Sequence, residues 1–315
     1  MARAADPKTP RNKSDLVRVV SAMRERAKTS GRLKEMEDTP VQLPMWEDDT
    51  RALPNSLARG ALFTAAKSED RKYFKKLNVA SLGGLEIQYR GEELRQDDAS
   101  VFMTLLHLAR HFPLGQPIHF TAYSMLKELG WSINKAEYQH LKECCDRLSA
   151  TNVTVAIEKR ITGKGPGDSA SSGYAGSLIR SFAWRDSEGQ QLSQWCVLLE
   201  PKIAQLFSEN TFSLFAWSER KLIGGRAPLA LWLHSFLITH REPLPISVPK
   251  YYELSASRAK DMADFRRRLR AALQKLVDIK FLKSFIIRND VVYLTRTPRT
   301  MKAPTPALLG DPALV

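Results

Sequence analysis

Residues 251–296 read YYELSASRAKDMADFRRRLRAALQKLVDIKFLKSFIIRNDVVYLTR, and the reading of the fold turns on this stretch. Tyr251–Leu254 reads as a short helix, Ser255 and Ser257 as a turn, and about 258–278 as a long basic helix. Two strands, Phe281–Arg288 and Val291–Thr295, flank Asn289-Asp290, a dipeptide suited to a two-residue hairpin turn. At the helical angle of about 100° per residue, Met262, Phe265, Leu269, Leu273 and Leu276 share a narrow arc that must face a core. Lys260, Asp264, Arg267, Ala271 and Gln274 lie roughly opposite, flanked by Arg268, Arg270 and Lys275. A solvated face accounts for many basic helices that stand alone. This one comes after a short helix and a tight turn and precedes a β-ribbon, the winged helix-turn-helix order of DNA-binding proteins.

The preceding residues complete the unit. An apolar helix over 226–239 carries Leu229, Trp232, Leu233 and Phe236, and Pro243 and Pro245 lead into a strand at Ile246–Val248. The same order occurs earlier in the chain. Leu85, Ile87 and Tyr89 alternate as a half-buried strand, and Asp97 or Asp98 caps a helix bearing Val101, Phe102, Leu105 and Leu106. Ile118 and Phe120 mark a strand, Thr121 caps a brief helix, and Gly130 turns the chain. Ser132 or Asn134 then opens a helix with Tyr138, Leu141, Cys145 and Leu148 inward. Strands at 152–160 and about 177–185, joined by GKGPGDSASSGYAG, and a third at Trp195–Leu199 close the set. The expected class is α+β: two tandem winged-helix domains at 61–200 and 201–300, a mobile N-terminal tail at 1–60 and a disordered C-terminal tail at 301–315.

Charge points to the partner. The 315 residues hold 48 Lys+Arg against 34 Asp+Glu, a net +14, and Ala256–Lys302 alone has thirteen basic and four acidic residues. An anionic polymer fits this excess, and the large exposed apolar face that a membrane-surface helix needs is missing. The second long helix offers Ser255, Ser257 and Arg258 near its start for phosphate. Lys260, Asp264, Arg267, Arg268, Ala271 and Gln274 are candidate DNA contacts: Arg and Gln pair with guanine and adenine edges, Ala meets a thymine methyl, and the one carboxylate can accept from cytosine N4. The equivalent helix of the first domain turns Lys135, Ala136, Gln139, His140, Glu143 and Arg147 outward, a nearly neutral set. Lys135, Gln139 and Arg147 are its candidate contacts, and His140 is either a contact or a bystander. Arg160 and Lys164 lie in a connection that reads equally as a wing near the backbone or a solvent loop.

Residues 12–36 form at most a polar helix, and Pro40, Pro44 and Pro54 interrupt regular structure after it. Within that lead-in, Gln42-Leu43-Pro44-Met45-Trp46 is an apolar pentapeptide. It either fills a partner's groove or straps onto its own first domain. The lead-in lacks a signal-peptide core and no stretch reaches the roughly 20 apolar residues of a membrane span, so a cytoplasmic protein is expected. Three cysteines, Cys144, Cys145 and Cys196, make neither a disulfide framework nor a four-ligand zinc site. Gly163-Lys164-Gly165-Pro166-Gly167 has the wrong order for a phosphate cradle, and His107 and His111 lack the glutamate of a zinc-protease helix. No enzyme activity, cofactor or metal is expected.

The stretches PNSLARGALFT (54–64), YRGEELRQDD (89–98), PLGQPIHFTAYSMLKELGWSIN (113–134), CDRLSAT (145–151) and HREPLP (240–245) resemble the TrfA-type plasmid replication initiators, a branch of the tandem winged-helix Rep proteins. The resemblance spans roughly residues 42–297. It implies sequence-specific binding to short direct repeats (iterons) at a replication origin, opening of an adjacent AT-rich segment, and recruitment of the host initiator and replicative helicase. It also implies a monomer–dimer equilibrium, in which the monomer initiates and dimers couple origins and limit copy number. A QL[SD]LF-like peptide of the family docks on the polymerase sliding clamp. Gln42, Leu43, Met45 and Trp46 match it, with Pro44 replacing a small polar residue and Trp46 a phenylalanine. The similar spelling at Gln191-Leu192-Ser193-Gln194-Trp195 lies at a strand start and is expected to be unavailable. A winged-helix transcriptional repressor is the alternative, with the same DNA surface but without clamp or helicase contacts.

Overall fold

The first strand lies inside the expected tail. Thr50–Pro54 (β1) is buried along its whole length and pairs antiparallel with Phe212–Ala216, from Thr50 opposite Ala216 to Pro54 opposite Phe212. The computed structural model describes residues 41–67, 70–82, 85–160, 169–185, 191–207, 211–240 and 242–298. The expected helix at 12–36 and the C-terminal tail lie outside them. Residues 42–60, assigned to a mobile tail, are instead part of the fold: Leu43, Ala52, Leu53 and Leu57 sit in a hydrophobic core.

Beyond β1 come α1 (Asn55–Ala58), β2 (Phe63–Thr64), β3 (Tyr73–Val79), β4 (Leu85–Glu92), β5 (Leu94–Arg95) and α2 (Gln96–Ala109). Next are β6 (Pro117–Phe120), α3 (Ala122–Leu129), α4 (Lys135–Ala150), β7 (Asn152–Arg160), β8 (Ser169–Gly176), β9 (Ile179–Arg185) and β10 (Gln191–Leu199). A 3-10 helix at Pro201–Leu206 leads to β11 (Phe212–Ala216), α5 (Trp217–Ile223), α6 (Pro228–Ile238), β12 (Ile246–Ser247) and α7 (Val248–Ser255). The last elements are α8 (Met262–Asp278), β13 (Leu282–Arg288) and β14 (Val291–Arg296).

One arrangement occurs twice. In α2–β6–α3–α4–β9–β10 the last strand returns to the first, giving the antiparallel order β6-β10-β9. In α6–β12–α7–α8–β13–β14 the order is β12-β14-β13, built the same way. Local chemistry sets the corners. The Thr121 side chain accepts from the Ser124 amide at 3.0 Å to start α3, and Gly130, at φ 71°, ends it. Asn134 accepts from the Glu137 amide at 3.0 Å to start α4. Asn289 and Asp290 both take positive φ (50° and 58°), the backbone of the tight hairpin the dipeptide encodes.

The ribbon of the first repeat differs from expectation. Residues 152–160 pair with 169–176 and with β4, in a four-stranded sheet β3-β4-β7-β8, whereas β9 pairs with β10. Part of the Gly/Ser-rich connection is thus itself a strand; residues 161–168, with Lys164, lie outside the described set. Tyr174 explains the strand: its ring is buried and its hydroxyl donates to the Ser177 carbonyl at 2.5 Å. Trp195 is buried on β10, so the second QL-like stretch is held in a sheet. The expected boundary at residue 200 is also crossed, because Phe215 and Trp217 pack into the first core while the second core runs from Ile223 to Val292 with Ala65.

The two repeats are bolted together by polar contacts. Arg220 on α5 is 3% exposed. It donates to Ser100 Oγ (3.0 Å), Gln96 O (3.0 Å) and Gln96 Oε1 (3.1 Å) on α2, and to Ser235 Oγ (3.1 Å) and Leu231 O (3.4 Å) on α6. Trp232 Nε1 donates to Gly60 O at 3.1 Å and Arg59 to Thr239 O at 2.6 Å. At Gly60 a Cβ would come within 2.4 Å of the Ala80 carbonyl oxygen, so no larger residue fits that approach. Arg220→Met keeps the length but leaves these oxygens without donors. It is expected to lower unfolding free energy by about 2–5 kcal/mol, read from the urea midpoint.

Candidate nucleic-acid interface

α8 is a two-faced helix. Asp261 caps it, its carboxylate accepting from the Asp264 amide at 2.7 Å. Phe265, Leu269, Ala272, Leu273 and Leu276 are buried against α6, α7 and the hairpin. Lys260, just ahead of the helix, and Arg267, Arg268, Arg270, Ala271 and Gln274 are exposed, with the Arg267 side chain 77% accessible. Gln274 donates to Asp278 at 2.9 Å on the surface.

Other residues expected there are placed elsewhere. Asp264 is buried beneath the first turn. It takes the Arg267 guanidinium at 2.5 Å, Arg268 at 2.8 Å and the Lys260 amide at 3.4 Å. The hydrogen bonds from Arg268 and then Arg267 hold its carboxyl below the ordinary range, and it offers nothing to a base edge. The helix begins at Met262 rather than 258, so the serines are not at its N-terminus. Ser255 ends α7 fully buried, its hydroxyl donating to Tyr252 O at 3.2 Å, and Ser257 is buried too. Arg258 reaches back to the first repeat, donating to Glu93 Oε2 (2.8 Å) and Asp70 O (2.9 Å).

Sequence reasoning also missed a brace. Arg266 donates twice to Asp290 in the hairpin turn, at 2.8 and 2.6 Å, tying α8 to the β13–β14 ribbon. That ribbon exposes Lys283 and Arg288, with Ile286 and Tyr293 opposite each other on its open face. The signal was present: a basic helix residue and an acid in the turn that must lie against it.

On α4, Lys135, Ala136, Gln139 and Glu143 lie on the outer side, and Gln139 donates to Glu143 at 2.9 Å. Arg147 is buried instead of outward, donating to Asp98 at 3.0 Å and to Cys144 Sγ at 3.2 Å. His140 is half-buried against Asp97 at 3.1 Å, and that carboxylate raises its pKa. A cavity of about 770 Å³ opens beside it, with Lys67, Glu137, Trp131, Lys221 and Arg226 in its wall.

The pentapeptide is a strap on its own domain. Leu43 is fully buried and Trp46 nearly so, stacked on Phe207 with centroids 6.3 Å apart. Gln42 Nε2 donates to Arg110 O at 3.0 Å, and Met45 and Pro44 are partly covered. Trp46 Nε1 donates to His107 Nδ1 at 3.1 Å, and Arg51 approaches the same nitrogen at 3.0 Å. Burial, then Arg51 and Arg110, push the His107 pKa down to about 3, so the ring is a neutral acceptor. Leu43 and Trp46 therefore do not form a free docking peptide in this conformation; two apolar anchors found a groove within reach.

Residues 9–296 match the family described as TrfA protein. The chain is 30% identical over 289 residues to the plasmid replication initiator protein TrfA of Escherichia coli, taking in 90% of this chain and 72% of that protein. A crystal structure of domains 2 and 3 of RctB superposes with a TM-score of 0.51 at 15% identity, covering 78% of this chain and 98% of that one. A second RctB structure of the same domains gives 0.47 at 14% identity over 76% and 94%. The first of these, at 15% identity, is a likeness of fold. No helix among the described residues is long and apolar enough to cross a membrane.

The strap's seat makes two measurable demands. Trp46→Ala should cost about 3–5 kcal/mol of unfolding free energy. His107 stays neutral when folded but has an unfolded value of 6.5. Unfolding then takes up a proton below that pH, so its contribution is complete above pH 6.5 and declines as pH falls toward 3. The slope is at most about 1.4 kcal/mol per pH unit. Stability curves of His107→Gln should be flatter than wild type between pH 6.5 and 4.5 by about that amount.

Proposed function

The chain belongs to the TrfA family of plasmid replication initiators, and on that premise we propose that it binds iterons at its origin through the outward face of α8. The observation that carries this reading is a helix anchored by its apolar side, with Arg267, Arg270, Ala271 and Gln274 exposed on the other and a hairpin braced beside it through Arg266 and Asp290. The repeated strand orders support reading both units as winged helices, with α4 and α8 as the second helices of their helix-turn-helix pairs.

In this reading α8 lies in a major groove. Arg267 and Gln274 address base edges, Ala271 meets a thymine methyl, and Lys260, Arg268 and the ribbon's Lys283 and Arg288 take phosphates. Lys135 and Gln139 of α4 touch a neighbouring segment with little charge. Counterion release makes the affinity fall with salt. Occupancy of adjacent repeats bends the duplex, and the strain opens the AT-rich segment where stacking is weakest. The chain performs no covalent chemistry. It recruits the host initiator, the helicase and the sliding clamp, and it self-associates to limit copy number. Clamp docking through Gln42–Trp46 requires that the strap first leave its seat on Phe207 and His107.

Arg267→Ala should weaken iteron binding by about 1–3 kcal/mol and relax selectivity at one base position. Lys260→Ala should weaken all sequences alike and lower the salt slope by about one. Titration of duplex repeats at several salt concentrations distinguishes the two. Wild-type binding by Arg267→Ala would remove α8 from the role given to it.

A further inference from the structure

α4 carries His140 and Cys144 one turn apart, and the first turn of α2 sets Asp97 against both. His140 Nε2 is 3.1 Å from Asp97 Oδ2 and 4.0 Å from Cys144 Sγ, and the three donor atoms lie within 4.8 Å of one another. We infer that Asp97, His140 and Cys144 form a binding site for a thiophilic divalent cation of the zinc type, which would pin α4 to α2.

The donor set is the first argument. One imidazole nitrogen, one thiol and one carboxylate are the mixture that zinc and its borderline neighbours prefer over magnesium or calcium. In a tetrahedral zinc site, ligand atoms about 2.0–2.3 Å from the metal stand roughly 3.3–3.8 Å from each other. The nitrogen and oxygen are near that spacing, and the sulfur needs to close by up to about 1.5 Å, which side-chain rotation supplies. The supporting contacts are in place as well. Asp97 Oδ1 accepts the Asp98 amide at 2.9 Å and Arg71 holds Oδ2 at 2.5 Å, fixing the carboxylate. Arg147 donates to the sulfur at 3.2 Å, the kind of outer hydrogen bond that orients a coordinated thiolate.

Taken alone, Arg71 and Arg147 would repel a dication, but the charge balance answers this. Asp98, which is not one of the ligands, already takes both guanidiniums, Arg71 at 2.6 Å and Arg147 at 3.0 Å. Access exists too. Asp97, Glu137 and His140 line the cavity of about 770 Å³, so an ion can arrive from solvent on the imidazole and carboxylate side, with the buried Cys144 thiol behind them.

The test uses the untagged full chain, stripped with chelator and titrated with cobalt(II). One cobalt per chain should bind, with a near-ultraviolet thiolate-to-cobalt band. Cys144→Ser should abolish that band, His140→Gln and Asp97→Asn should weaken binding by at least about tenfold, and Cys196→Ser should change nothing. Zinc should displace cobalt and raise the melting temperature of wild type, whereas magnesium should do neither. Should Cys144→Ser fail to fold, the variants of the partly exposed His140 and Asp97 decide by the same band. A wild-type chain without a thiolate band, or a band of equal strength in Cys144→Ser or His140→Gln, overturns the site and leaves the cluster as an ion-pair network. This test is independent of DNA binding and of the role given to α8.

Discussion

Arg220 carries a positive charge into the junction of α2 and α6, where each oxygen that accepts from it is neutral: two hydroxyls, two backbone carbonyls and a side-chain amide. Burial lowers its pKa to about 9, which still leaves it protonated at neutral pH. A charge so placed is tolerated only if all of its donors are met, and meeting them requires two helices at one separation and one rotation. Since α2 and α6 are the leading helices of the two repeats, this guanidinium fixes the spacing between everything each repeat displays.

The repeats use their charges in opposite ways. α4 turns Arg147 inward to Asp98 and His140 toward Asp97, so its ionisable groups knit the first repeat together and little remains outside. α8 buries one charged group, Asp264, and that carboxylate lies under the guanidiniums it orients. The ion pair itself adds little stability, because Arg267 is largely in water. Its value lies in holding a long side chain near one direction. Of the two helices, α8 therefore keeps Arg267, Arg268 and Arg270 on the surface, while α4 spends its one guanidinium inside.

Local features were the legible ones. Thr121, Asn134 and Asn289-Asp290 announce their corners because capping and turn chemistry act over three or four residues. The buried arc of α8 was equally readable in the sequence, since an apolar stripe needs only its own periodicity. Asp264 departs from its helical-wheel position for an instructive reason: the wheel sets it opposite the core, but in the first turn its short carboxylate folds back under Arg267 and Arg268 and onto the Lys260 amide. The pairing of β1 with β11 and the burial of Arg51, Arg147 and Arg220 depend on partners far along the chain, and no spacing rule reports those. Strand β8 was hidden because serine and glycine signal a loop, while one buried tyrosine in the same stretch signals a sheet.

The strap shows how an interaction peptide and a core segment share one composition. A groove-binding motif needs two or three large apolar side chains in an extended, poorly hydrogen-bonded stretch, and so does a segment that closes its own domain. Leu43 and Trp46 satisfy both descriptions, and the structure gives them the nearer partner: Phe207 to stack on and a neutral His107 to receive the indole N–H. Any external groove must then compete with an internal one at high effective concentration. Such a partner therefore binds with an affinity reduced by the fraction of time the strap is open, so the stability of this seat, rather than the match of the peptide to a motif, sets how strongly the segment can be captured.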